Sequence, residues 1–252
     1  MPVLFMGHGS PMNAIEDNQF SHTWQEVARQ IPPPEAILCI SAHWETRGSF
    51  VTAMEWPRTI HDFYGFPQPL FEKQYPAPGS PELVKRLIEL VNDFRVLEDH
   101  SWGLDHGAWS VLCRMYPEAD IPVVQLSLDR TIKAADHYRL GRELSQLRRE
   151  AVLVIGSGNL VHNLRMMVWE DTAFDWAAEY DAQVKQWILE NNHQAIIHYE
   201  KYGQPALLAV NSAEHYLPLL YILGTKEKNE LVSFFAEKIW GGSISMRCVR
   251  IG

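Results

Sequence analysis

The chain has 252 residues, 46% hydrophobic and 21% charged, a balance that builds a buried core and excludes disorder. Its 22 basic and 31 acidic side chains leave a net charge of -9 with no basic stripe, which argues against nucleic acid and anionic membrane as partners. No run approaches the ~18 apolar residues of a membrane span, and a length near ~250 residues fits a single domain over residues 1–252.

Val3 to Met6 is a short apolar run stopped by Gly7 and reads as a buried strand. It is too short, and lacks the basic flank, for a signal peptide. Trp24, Val27, Ala28 and Ile31 lie at helical spacing, so a helix is predicted over 21–30, ended by Pro32, Pro33 and Pro34. Residues 36–40 form a second buried strand and 50–53 a third. Residues 57–79, rich in proline, glycine and aromatics, read as a long ordered loop. Ser80, Pro81 and Glu82 open a helix reaching Val91, with a capping hydroxyl and proline at its first position. A helix over 108–115, a strand over 122–126 and a polar-faced helix over 134–149 follow. Residues 151–155 are a buried strand ended by Gly156-Ser157-Gly158. Helices are expected over 176–190 and 215–223, and late strands over 231–235 and 244–249. Strands alternating with helices predict an α/β fold around a largely parallel central sheet flanked by helices. Cys39, Cys113 and Cys248 are odd in number and far apart, which predicts reduced thiols and a cytoplasmic protein.

The chemistry is carried by histidines, of which there are 11. His8 stands just past the first strand between Gly7 and Gly9. His43 stands just past the second, in Ser41-Ala42-His43-Trp44. His162 follows the strand ending at Ile155, and His215 opens a helix after Glu214. Ligands in open α/β sheets bind at the carboxyl ends of strands, so histidines there converge although distant in sequence. Imidazole suits iron, zinc and similar metals. Ser10 is a cap or turn former, since its surroundings are not a hydrolase nucleophile elbow. Gly156 and Gly158 lack the third glycine of a dinucleotide loop, position 161 being valine. His22, His137, His193 and His198 lie in polar stretches and read as solvated.

These motifs, in this order, carry a family resemblance over nearly the whole chain. They are His8-Gly9-Ser10-Pro11, Ser41-Ala42-His43-Trp44, Tyr64-Gly65-Phe66-Pro67, Leu104-Asp105-His106-Gly107-Ala108-Trp109, the run from Gly156 to Asn163, and Glu214-His215-Tyr216. The chain resembles the LigB-like class III extradiol dioxygenases, in the branch similar to DOPA 4,5-dioxygenase. The resemblance implies one divalent metal per chain, Fe(II) for activity or Zn(II). His8 and His43 match two ligands. The third ligand stays open between Glu214 and His215, and His162 between ligand and acid/base. His106 matches a histidine beside the metal that contacts substrate or dioxygen.

The implied reaction opens a catechol ring beside its diol with O2, giving a muconate semialdehyde, with a small aromatic diol and O2 as the partners. His162 or His106 would take a phenolic proton, a task suited to a neutral imidazole. Trp44, Phe63, Tyr64 and Trp109 are candidates to wall the pocket. Arg47, Arg58 and Asp62 are candidates to receive an amino-acid tail. The rival readings are a zinc-dependent hydrolase and a LigB-like domain that binds without catalysing. Oligomeric state is not legible in the sequence.

Overall fold

Alternation along the apolar runs decides which way each strand faces. The computed structural model describes residues 1–252. Its first half runs β1 (Val3–Gly7), α1 (Gln19–Arg29), β2 (Ala36–Thr46), β3 (Ser49–Thr52), α2 (Gln68–Glu72), α3 (Pro81–Leu90), β4 (Val96–Asp99) and α4 (His106–Met115). Then come β5 (Val123–Asp129), α5 (Ala134–Glu143), β6 (Val152–Gly158), α6 (Asp175–Leu189), α7 (His193–Ile197), α8 (Gln204–Ala209) and α9 (Leu217–Gly224). The chain closes with β7 (Val232–Phe235), β8 (Ile239–Trp240), β9 (Ile244–Ser245) and β10 (Cys248–Ile251).

Eight strands form one sheet in the order β4-β3-β5-β2-β6-β1-β10-β7. The central strands β5, β2, β6 and β1 are parallel, while β10 runs antiparallel to β1 and β3 antiparallel to β5. Strands covered on both faces are apolar throughout, which is why they read as continuous hydrophobic runs. Val3 and Phe5 of β1, Leu38 and Ile40 of β2, and Val152 and Val154 of β6 meet the core under α3, α5, α6 and α9. Leu4, Met6, Ile37, Cys39, Leu153 and Ile155 meet the other core, under α1 and α4. Every residue of α9 is buried, as expected for a helix apolar all round. The chain is one α/β domain with a mostly parallel central sheet flanked by helices, and none of its helices is long and apolar enough to cross a membrane.

Several elements differ from the sequence-based expectation. The second strand does not stop at Ile40: after an irregularity in pairing it resumes against β5 at Glu45 and ends at Thr46. His43 therefore lies within the irregular stretch of β2 rather than past its end. The helix expected over 134–149 is α-helical only to Glu143 and tightens into a 3-10 helix over Leu144–Glu150. The strand expected over 244–249 is broken into β9 and β10, which belong to different sheets. The loop over 57–79 carries the short helix α2, and the helix after Glu214 begins at Leu217, leaving His215 in the preceding turn. The edge strand β4 and the short helices α7 and α8 had no counterpart in the expectation.

Candidate metal centre

The sheet order builds the site. β6 lies between β1 and β2, with Gly7 beside Gly158 and Ser41 beside Ser157. His8 is tied to the end of β6 by its N–H, which donates to the Gly158 carbonyl at 3.1 Å. The His215 carbonyl accepts from Asn159 N–H at 2.8 Å. Gly158 must lack a side chain for this, since a Cβ there would lie 2.1 Å from the His215 carbonyl oxygen. His162 N–H donates to the Ala209 carbonyl at 2.9 Å. His106 is the first residue of α4, capped by Asp105, whose carboxylate accepts from Ala108 N–H, Ser41 Oγ and Gln125 Nε2.

Five imidazoles converge here. Ring nitrogens of His8, His43 and His215 all lie within 4.8 Å of one another, and His8 Nε2 is 3.2 Å from His43 Nε2. His162 stacks on His215 with ring centroids 3.4 Å apart and planes 9° from parallel. His106 sits 3.8 Å from His43, centroid to centroid.

Hydrogen bonding assigns the protons. Ser157 Oγ donates its one proton to the Gly107 carbonyl at 2.5 Å, so toward His8 Nδ1, 2.9 Å away, it acts as acceptor. His8 therefore carries its proton on Nδ1 and presents a bare lone pair on Nε2. The Glu214 carboxylate does the same for His215, accepting from Nδ1 at 3.1 Å while it also accepts from Ser212 Oγ at 2.8 Å. A carboxylate or hydroxyl behind a histidine, freeing the far nitrogen, is the usual outer support of a metal ligand.

Burial keeps His8, His43, His162 and His215 neutral. It holds His8 and His215 well below the ordinary histidine value, and the neighbouring imidazoles push the same way, because like charges cannot share the site. Burial, then His106, lowers His43 to about 3 against a smaller opposing pull from Asp62. Burial lowers His162 to about 4. Burial would raise the Asp62 carboxyl, but its contacts with His106 and His43 outweigh that and hold it below the usual carboxylate range.

The remaining sequence candidates separate. Phe63 stands edge-on to His106 at 5.5 Å and borders the cluster. Trp109 is fully buried behind it, donating Nε1–H to the Ile60 carbonyl. Trp44 is not at the cluster: it is buried in parallel stacking on Trp102, because the residue after His43 points to the opposite side of β2. Tyr64 is 92% exposed at the loop tip. Arg47 is exposed, and Arg58 bonds the Trp102 carbonyl. Asp62 instead lies against His43 and His106, a position invisible in sequence because only the folded loop brings it there. Ser10 caps the turn Pro11–Ala14, accepting from Met12 N–H. His137 is not solvated; it is buried against the Tyr221 hydroxyl on α9, because it shares the one buried face of α5 with Leu140 and Gly141. His193 and His198 are partly buried, His193 against Tyr138, while His22 is exposed. A cavity of about 520 Å³ opens between Ser10, Met12, Trp240 and Met246, but none of the five histidines lines it, so volume alone does not locate the chemistry.

The donor set fits a metal ion. Metal–nitrogen bonds of about 2.0–2.1 Å in tetrahedral geometry imply nitrogen pairs about 3.3–3.4 Å apart, close to the His8–His43 spacing. The lone pair of His8 Nε2 is buried and faces His43 Nε2, an arrangement that a cation would relieve.

Comparison with known proteins agrees with this geometry. Residues 2–240 match the family described as the catalytic LigB subunit of aromatic ring-opening dioxygenase. A 4,5-DOPA dioxygenase extradiol of Escherichia coli (strain K12) is 47% identical over all of this chain and 95% of its own length. One from Beta vulgaris is 39% identical over 96% of this chain and 92% of its own. The crystal structure of an uncharacterized protein from Escherichia coli K12 superposes with a TM-score of 0.87 at 43% identity, covering 100% of both chains. With a sheet, a histidine cluster and relatives that agree from end to end, the chain belongs to the LigB family of aromatic ring-opening dioxygenases.

Proposed function

We propose that this protein is a metal-dependent extradiol dioxygenase that opens the ring of a catechol, DOPA-like substrate with O2 to give a muconate semialdehyde. The observation that carries the reading is the convergence of His8, His43 and His215 with the unprotonated Nε2 of His8 facing its neighbours. These three hold the ion, and Glu214 serves as the outer carboxylate of His215 rather than as a ligand. Bound Fe(II) supplies the redox centre for O2 and a Lewis acid for the two diol oxygens.

The chain's own residues do the rest. His162, neutral through burial and stacked on His215, accepts a phenolic proton and returns it to the opened product. His106 flanks the opposite side of the cluster beside Phe63, whose ring edge meets it and packs against a flat aromatic substrate. Three buried free thiols suit the reducing cytoplasm.

An all-imidazole donor set also suits zinc, so the test separates the metals. Protein stripped with chelator is reloaded with Fe(II) or Zn(II) and given a panel of catechols including DOPA. The expected result is O2 uptake equal to catechol consumed, with a yellow semialdehyde, in the Fe(II) sample alone. No O2 uptake with Fe(II), together with hydrolytic activity of the zinc form, would refute the reading.

A further inference from the structure

Asp62 is a carboxylate placed between two histidines of the site, as Glu214 is between His162 and His215 on the other side. Its Oδ2 lies 3.4 Å from His43 Nδ1 and 3.0 Å from His106 Nδ1. Its Oδ1 accepts the backbone N–H of His106 at 2.9 Å. Nδ1 of His106 is buried and has no aligned hydrogen-bond partner, so this carboxylate, although off the hydrogen-bond line, is the acceptor within reach. Asp105 caps α4 through Ala108 N–H, so the helix start engages only Asp62 Oδ1, through the His106 N–H, and leaves Oδ2 to the rings. The loop does not need it either: Ile60 N–H donates to the Leu104 carbonyl and Trp109 Nε1–H to the Ile60 carbonyl, both at 2.7 Å. A carboxylate only accepts, and it offers about four lone-pair sites. The backbone N–H uses one; the two Nδ1 contacts are close but not aligned as hydrogen bonds, and with both rings protonated at Nδ1 they would use two more.

We propose that Asp62 is a positioning residue that fixes the ring tautomer of both His43 and His106. It draws the proton of each to Nδ1, which leaves His43 Nε2 bare as a metal ligand and His106 Nε2 bare as a hydrogen-bond acceptor facing the substrate side. The proposal rests on the metal-site reading for His43, but not on the identity of the reaction. One side chain thereby couples the geometry of the ligand to that of the neighbouring His106.

Asp62→Asn tests it. The amide oxygen keeps the His106 N–H, and the amide NH2 then faces two ring N–H groups as donor against donor. The His106 ring answers by moving its proton to Nε2. The readout is the 15N spectrum of histidine-labelled protein, in which the two ring nitrogens of a neutral imidazole separate by tautomer. The wild type is expected to show His106 as the Nδ1–H tautomer, with or without zinc. Asp62→Asn is expected to shift it to Nε2–H and to weaken zinc about 10–100-fold, as loss of an outer partner of a ligand does. Asp62→Glu restores the wild-type tautomer. A wild-type His106 protonated at Nε2 overturns the proposal without any variant, so a variant that misfolds does not rescue it. Unchanged tautomer and zinc affinity in Asp62→Asn overturn it equally. Failure of the metal reading is distinct: wild-type protein then takes up no stoichiometric zinc, while the metal-free spectrum still decides the role of Asp62.

Discussion

Removing the hydroxyl behind His8 tests the metal centre through an atom that touches no substrate. In Ser157→Ala the Nδ1–H of His8 loses its acceptor at 2.9 Å, in a residue only 1% exposed where water does not replace it. The imidazole then gains by transferring its proton to Nε2 and finding a partner across the site, where His43 Nε2 waits at 3.2 Å. The lone pair that would meet the metal is thereby used up. An unsatisfied buried N–H costs about 1–3 kcal/mol. Loss of an outer partner of a histidine ligand weakens metal binding about 10–100-fold, or about 1.4–2.8 kcal/mol, so the two routes agree. Competition for zinc against a chromophoric chelator at neutral pH measures the change. Ser110→Ala is the control: its hydroxyl is also buried on α4 but has no partner, so its removal leaves zinc affinity within about twofold and stability equal or raised. Folded Ser157→Ala protein that binds zinc as tightly as the Ser110 variant would refute the assignment of the His8 proton.

Gly158→Ala places a Cβ 2.1 Å from the His215 carbonyl oxygen, against backbone that cannot yield cheaply. It is expected to cost about 1–3 kcal/mol in urea unfolding and at least about tenfold in zinc affinity, and wild-type values in both would contradict the docking of His215 on β6. Phe63→Ala removes the ring edge beside His106 and is expected to raise KM for catechols more than it lowers kcat; a pure kcat loss would place Phe63 outside the substrate wall. His137 has a folded pKa near 4 because of burial, below the unfolded value of about 6.5, so the unfolded chain takes up the proton first. Its contribution is fully present above pH ~6.5 and is lost as pH falls toward ~4, by at most roughly 3 kcal/mol. Urea midpoints across that window should fall less steeply in His137→Gln than in wild type, and identical slopes would contradict its burial as a neutral ring.

What could be read from the sequence followed from what is local. The central strands announced themselves because burial on both faces demands apolar runs, and α3 because Ser80 and Pro81 mark its start. β4 was missed because it is an edge strand of four residues with only Val96 buried. The short helices α7 and α8, of five and six residues, offer no full amphipathic repeat. His8, His43, His106, His162 and His215 were legible as a set through placement after strands and through motifs, and the fold brings them together. The duties of Asp62 and Ser157 were not, since each depends on a contact across the sheet or loop. The burial of His137 was hidden for the same reason: its partner Tyr221 lies 84 positions away.

The sequence separations at the centre have a kinetic consequence. His8 meets His43 across 35 positions and Ser157 across 149, with β6 as the common footing. Such pairings pay loop-closure entropy before any contact rewards them, so the histidine cluster is assembled only when the middle of the sheet has closed. A metal ion arriving early finds scattered single imidazoles, and one arriving late finds a finished cradle. On the proposed reading, metal capture would report completion of the sheet, and bound metal, by mass action, would draw the chain toward that finished state.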